Sequence, residues 1–442
     1  MKMKMGEIEK DNFIFFAITI MSVINSYFGF VGVLIYFLYA FYKKKTRKML
    51  LPVIYLSINT VIANFILFQG IDYFQFFSIF TFLLCLIART RSIKKLSKTI
   101  VKNPWLFFLY LGIIILSIIR VGNIRGFLSL ILLTLSLAMM VEKEDSFKGV
   151  CDDVLIAGNQ IVYLGLVEFA LQRTFFYSSW TGSERYRYGI IRIGSTVSDP
   201  NYMCLMLVPL ILLAYYMLKK YRNKRYRICF WMYTAICVIS MSRTGLLCMI
   251  LAIYFIVRKY YFCKMKKNAK IIMNTILMLV VVGFLYELLG QFIGTSNRAL
   301  ISSNFTRNVS IQYGLQILKQ NLWTGIGMNK FYDYAQPLFY RDYGGHFAEG
   351  MTVMNMPLEI SLAFGLGGLI IFVLLNVGTC IKARKDKEFP GISMLVCFWA
   401  MALTLDGMTM GLFWIMMILP IIHTDIKEYR IIRAVTPKIE VG

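Results

Sequence analysis

The sequence predicts an all-α fold, a polytopic transmembrane helical bundle of about 12–14 spans with one large extracytoplasmic loop between late spans. Three observations lead there. Hydrophobic residues make up 58% of the 442 and charged residues 16%, with a mean hydropathy of +0.64, whereas soluble domains are about half apolar and a quarter charged. The apolar residues fall in runs long enough to cross a bilayer, which takes about 20 residues as a helix. The net charge of +25 gathers in short segments between those runs, as the positive-inside rule requires, rather than in a nucleic-acid patch.

Taken in order, the runs are 13–25, 27–42, 49–69, 71–88, 104–120, 124–141, 151–171, 200–218, 227–241, 243–257, 271–290, 355–379, 390–405 and 408–423. Residues 13–42 read either as one tilted helix or as a hairpin of two short ones. Residues 227–257 would form a helix of about 47 Å, too long for one crossing, and Ser240-Met-Ser-Arg-Thr-Gly245 supplies a break. The first run lacks the features of a cleaved signal and reads as an uncleaved anchor.

Orientation follows from the basic residues. With both termini cytoplasmic, the inside segments are the N-terminus, Lys43–Lys48, Arg89–Lys102, Glu142–Lys148, Lys219–Arg227, Arg258–Lys270, Lys382–Lys387 and the C-terminus. Together they hold 36 of the 48 Lys and Arg. Two outside segments are long, Arg173–Asp199 and Gln291–Val353, and a long loop among short ones is usually functional. The chain thus divides into an N-terminal transmembrane bundle, 1–290, of about 11 spans, a large extracytoplasmic loop, 291–353, and C-terminal spans with a cytoplasmic tail, 354–442.

Nine cysteines without a C-x-x-C pair argue against a disulfide framework or thiolate site, and two histidines, His346 and His423, against a histidine-built metal centre. No metal or cofactor is expected. Ionisable residues inside spans are functional candidates by default; the notable ones are Glu168, Asp199, Arg243, Glu287, Glu359 and Asp406. All fall at the outer ends of their spans. Snorkelling to water would populate both ends, so the one-sided bias points to a polar cavity on the outer face. A transporter would carry polar groups at mid-depth and discontinuous helices in both halves. Here one interruption is evident, at Ser242-Arg243, and the mid-span residues read as Leu, Ile, Phe and Met.

Four segments carry a family likeness: Arg192-Ile-Gly-Ser-Thr-Val-Ser-Asp-Pro-Asn201; Ser240-Met-Ser-Arg-Thr-Gly245; Arg307 followed by Gly314 to Gly327; and Asn355-Met-Pro-Leu-Glu359 with Gly365-Leu-Gly-Gly368. In order and spacing they resemble the bacterial O-antigen polymerase and ligase family of glycosyltransferases. The likeness implies transfer of a glycan from undecaprenyl pyrophosphate to an acceptor at the outer leaflet of the bacterial inner membrane, without metal or nucleotide sugar. Membrane lipid and the lipid-linked glycans are the partners it implies, with a flippase and a chain-length regulator as further candidates; the placement of the charge argues against nucleic acid. Met354 stands where ligases of the family place a catalytic histidine, which favours a polymerase; a ligase is the alternative, and a polysaccharide flippase the rival from another class.

Carried over to this chain, Arg243 and Arg307 match the family's arginines and would bind the pyrophosphate, for which a guanidinium is well shaped. Arg192, Asp199, Asn201, Arg341 and Asn355 join them as substrate-binding candidates. Helix capping is the competing role for Asp199, and a loop ion pair the competing role for Arg192 and Arg341. The base is open between His346 and Glu359, with Glu349 and Asp199 as alternatives, or with charge stabilisation alone. Tyr186, Tyr188, Trp323, Tyr332 and Tyr334 would stack on sugars or simply sit at the interface.

Overall fold

In the computed structural model the described residues are 5–43, 45–68, 70–88, 111–112, 115, 124–141, 143–176, 186–187, 190–197, 199–293, 298–345 and 352–435. Among them the chain is an all-α polytopic helical protein with sixteen α-helices, and its strands form two short antiparallel hairpins. Glu144–Leu171, Pro200–Tyr221, Lys267–Tyr286 and Met356–Arg384 are long and apolar enough to cross a membrane. Ser26–Tyr42, Tyr73–Ile87, Phe127–Met140 and Gly391–Ala402 are shorter apolar helices. The run expected at 104–120 lies outside the described residues apart from 111–112 and 115, as does the basic segment 89–102.

Residues 13–42 form the hairpin. Helix α1 (Met5–Ile24) ends at Asn25, whose side chain accepts the Tyr27 N–H at 2.9 Å and starts α2 (Ser26–Tyr42). The run at 49–69 is not one helix. It divides into α3 (Leu50–Ile58) and α4 (Thr60–Ala63) at Asn59, and ends in the hairpin of β1 (Ile66–Phe68) with β2 (Ile71–Asp72). Asn59 causes the break and repairs it. Its amide donates to the Tyr55 and Ala157 carbonyls at 2.8 and 3.2 Å and accepts the Thr196 hydroxyl at 2.6 Å.

The bundle continues through α5 (Tyr73–Ala88), α6 (Ile124–Met140), α7 (Glu144–Leu171), α8 (Pro200–Tyr221), α9 (Lys224–Ile239), α10 (Arg243–Tyr260) and α11 (Lys267–Ile293). Then follow α12 (Arg298–Gln320) and α13 (Phe331–Tyr343) in the long loop, and α14 (Met356–Arg384), α15 (Gly391–Ala402) and α16 (Gly411–Val435). Helix α8 is central: it is almost entirely buried, whereas residues 267–286 of α11 are mostly exposed, and it packs on α7, α9, α10 and α15.

Two further expectations need correction. Mid-span residues are not uniformly apolar, because α7 carries buried Asn159 and Gln160. Gln160 Nε2 donates to Asn12 Oδ1 at 3.0 Å, Tyr233 donates to Asn159 Oδ1 at 2.8 Å, and Asn12 donates to the Tyr163 hydroxyl at 2.7 Å. Nearer the lysine-bearing end, buried Asp11, Asp152 and Asp153 face Lys48, Arg225 and Arg47. Buried polar groups are tolerated when paired, and these partners lie tens of residues apart in sequence.

The second correction is a further helix interruption, at Gly365 within α14, where φ is +71° and ψ is −174°. The break frees the Leu362 and Ala363 carbonyls, which accept the N–H groups of Ile326 and Gly327 at 2.6 and 3.2 Å. In return the Leu366 N–H reaches the Leu322 carbonyl at 2.9 Å. The strap between α12 and α13 therefore completes the backbone hydrogen bonding of a broken helix, as apolar surroundings demand.

Candidate functional site

The four sequence segments meet at one end of the bundle. The first is fixed by Glu168 at the end of α7, whose carboxylate accepts the N–H groups of Phe175, Gly194 and Ser195 at 3.0, 3.2 and 2.8 Å. The Ser195 hydroxyl donates to the Ile161 carbonyl at 2.6 Å. Glu168 is thus committed to shaping the loop that carries Arg192. That loop ends at Asp199, the N-cap of α8, which accepts the Asn201 and Tyr202 N–H groups at 2.6 and 3.3 Å.

Asn201 joins this segment to the second. Its Oδ1 accepts the hydroxyl of Ser242 at 2.7 Å, while Ser242 Oγ accepts the Gly245 N–H at 3.1 Å and caps α10. Gly245 lets α8 and α10 close up, since a Cβ there would lie 2.5 Å from Cys204 Sγ. Arg243 occupies the first turn of α10 and is exposed.

The third segment lies on the fourth. At Gly314 a Cβ would stand 3.0 Å from the Leu358 side chain, and two turns earlier on the same face is Arg307, only 7% exposed. Asn355 caps α14 by accepting the Leu358 N–H at 3.0 Å and donates to the Leu403 carbonyl at 2.9 Å. Glu359 accepts the Gly407 N–H at 3.3 Å. A small cavity of about 30 Å³ lies between the Gly325–Gly327 turn and α14, with Thr352, Glu359 and Met408 in its wall.

Charge converges on Asp199. Burial pushes its carboxyl up, and the nearby Arg192, the Asn201 N–H and Arg307 pull it back. Arg192 is 7% exposed, like Arg307. Asp406, in the loop between α15 and α16, also faces Asp199 and accepts the Thr352 hydroxyl at 2.8 Å. Burial pushes Asp406 up to about 7, its own N–H opposing and the charge of Asp199 adding. Two buried guanidinium groups and a second carboxylate thus lie near Asp199 at this end of the bundle, and guanidinium groups are suited to a phosphate-bearing group that displaces a carboxylate partner.

The sequence candidates therefore separate. Arg192, Asp199 and Arg307 come together; Asn201 ties Arg243's helix to them; Asn355 and Glu359 bind the 403–408 loop. Arg341 stands apart, exposed on α13 and ion-paired to Asp342 at 2.8 Å. Trp323 and Tyr334 are exposed. His346, Glu349 and Tyr188, and the side chains of Tyr186 and Glu287, lie outside the described residues. The sequence marks Asp406 as a notable ionisable residue but does not bring it, or Thr352, into the site. The only signal is an acid next to a glycine between two apolar runs.

Residues 228–373, a third of the chain, match the family model described as O-antigen ligase. The matched stretch holds three of the four segments, all but the one from Arg192 to Asn201. A search of curated proteins returns no match. With the helical polytopic fold and the convergence of the segments, the family match supports the chain's membership of the O-antigen ligase/polymerase family.

Proposed function

We propose that the protein is a polymerase joining undecaprenyl-pyrophosphate-linked oligosaccharide units into O-antigen, capsule or exopolysaccharide at the outer face of the bacterial cytoplasmic membrane. The observation that carries the reading is the approach of buried Arg192 and Arg307 to Asp199, beside the cap of α10 that presents Arg243. In the transfer, the acceptor oxygen bonds to the anomeric carbon while the pyrophosphate departs with its electron pair. Negative charge grows on the leaving group, and guanidinium groups fixed in a water-poor site favour that charge in the transition state. Asp199 keeps Arg192 and Arg307 oriented until the phosphates replace it. Exposed Trp323 and Tyr334 offer ring faces to the sugars. The flippase supplies the donor at this face, and a chain-length regulator acts on the product.

A ligase is the second reading, favoured by the description of the matching family model. Met354, in the position of the ligase histidine, favours the polymerase. The test is complementation of a deletion strain with wild type, Arg307→Lys, Arg192→Lys, Arg243→Lys and a distant control, Arg222→Lys, read as carbohydrate ladders. A point charge does not replace a fork, so each site variant should lose on the order of 10²-fold in polymer formation, at normal protein level. Loss of a polymerase leaves single units on the carrier lipid, whereas loss of a ligase leaves full-length polymer there. Normal ladders from all three variants would refute the arginine site.

A further inference from the structure

We propose that Asp406 is the proton acceptor for the incoming sugar hydroxyl, positioned by Thr352. The assignment rests on the glycosyl-transfer reading above and supplies the base that the sequence leaves open. Asp406 lies in the loop that links α15 to α16 at the site, one residue before the Gly407 N–H that holds Glu359. One of its oxygens, Oδ2, accepts the Thr352 hydroxyl at 2.8 Å. The other, Oδ1, is buried, and among the described residues no donor lies within hydrogen-bond distance of it. Thr352 precedes Met354 by two residues, so this carboxylate faces the segment where the histidine of the ligases is replaced by an apolar side chain.

The three carboxylates of the site have different commitments. Asp199 holds two backbone N–H groups and faces Arg192 and Arg307, which offset part of the cost of burying its charge. Glu359 holds the Gly407 N–H. Asp406 accepts the Thr352 hydroxyl and is influenced by its own N–H and by the negative charge of Asp199, whereas Arg192 and Arg307 act on Asp199. Titratable groups whose surroundings differ in this way divide acid–base labour, and Asp406 is the one for which gaining a proton relieves the most repulsion. Its carboxyl, pushed up to about 7 by burial, suits proton transfer near neutrality.

The step balances as follows. The hydroxyl oxygen forms the new bond to the anomeric carbon as the bond from that carbon to the pyrophosphate oxygen breaks. The electron pair of the broken bond leaves on the lipid pyrophosphate beside the arginines. The hydroxyl proton passes to the Asp406 carboxylate, and once the product has left and water enters the opened site it passes on to that water, which restores the carboxylate.

The experiment uses the full chain in nanodiscs. It measures undecaprenyl pyrophosphate binding by native mass spectrometry and transfer rate against pH with extracted lipid-linked oligosaccharide. Wild-type rate should rise with pH through about 7. Asp406→Asn should retain undecaprenyl pyrophosphate but lose on the order of 10²-fold or more in rate, with the pH dependence gone. Asp406→Glu should recover part of the rate with a displaced midpoint. Should Asp406→Asn fail to fold, the wild-type profile and Asp406→Glu decide. Transfer by Asp406→Asn at the wild-type rate, or a wild-type profile flat between pH of about 5 and 8, overturns the assignment alone. A wild-type chain that neither binds the lipid pyrophosphate nor transfers sugar overturns the glycosyl-transfer reading and this assignment with it.

Discussion

Replacing Gly365 by alanine tests the interlock that holds the long loop to the bundle. At φ +71° and ψ −174° an L residue sits in a region nearly reserved for glycine, at a cost of about 1–3 kcal/mol. The new methyl carbon would lie 2.2 Å from the Trp323 carbonyl oxygen. That atom is backbone and cannot rotate away, so the strap from Leu322 to Gly327 must lift. Lifting it breaks the hydrogen bonds from Ile326 to Leu362, from Gly327 to Ala363 and from Leu366 to Leu322, each contributing about 1 kcal/mol. The sum, about 4–6 kcal/mol, rivals the whole stability of many domains. Two residues on, Gly367 lies in regular helix, and a methyl group added there would meet nothing within 4 Å. Alanine at that position should stabilise by about 0.5–1 kcal/mol. The assay is thermal unfolding in detergent with size-exclusion detection. Gly365→Ala should lower the midpoint on the order of 10 °C and abolish polymer, and Gly367→Ala should do neither. Equal midpoints for the two variants would refute the interlock.

Three further outcomes are expected. Ser242→Ala removes both the cap of α10 and the bond to Asn201, and should cost about 1–2 kcal/mol, read as a lower unfolding midpoint, with weaker polymer formation. Glu168→Gln keeps the size but sets an amide against one of three backbone N–H donors; protease nicking between 172 and 199 should accelerate while the rest of the chain stays intact. Asp406 has its folded-state pKa raised from 3.8 to about 7, so its contribution to stability is present below the unfolded value and is lost as pH rises through about 7. The wild-type midpoint should therefore fall from acid to neutral pH more steeply than that of Asp406→Asn, and parallel curves would contradict it.

Much of the fold is legible in the sequence because a bilayer allows few solutions. An apolar run must satisfy its backbone internally, so runs become helices. The break at Ser242 is readable because it concentrates hydroxyls, an arginine and a glycine in six residues. The clustering of Arg192, Asp199 and Arg307 is foreshadowed by their shared position at one end of the spans. The roles of individual acids are less readable. Glu168, Glu359 and Asp199 look alike in sequence, and only their backbone donors tell a loop organiser from a charge facing two arginines.

What stays hidden in the sequence has one physical character: a polar group whose partner is distant along the chain. Asn59 breaks its helix because Ala157 and Thr196 satisfy its amide, and neither contact has a local sign. Asn159 and Gln160 look like lapses in an apolar run until Asn12 and Tyr233 meet them. The break at Gly365 hides in a glycine-rich stretch that would pass for close helix packing. Such discontinuities in a membrane bundle often line a transport path, and here the geometry argues otherwise. The groups freed at Asn59 and Gly365 are bonded to neighbouring backbone and side chains of the chain itself. Breaks closed in this way fix a rigid platform at one end of the bundle. Rigidity is what the proposed transfer site would need, because on that reading two arginines and a carboxylate are held ready before the leaving group develops its charge.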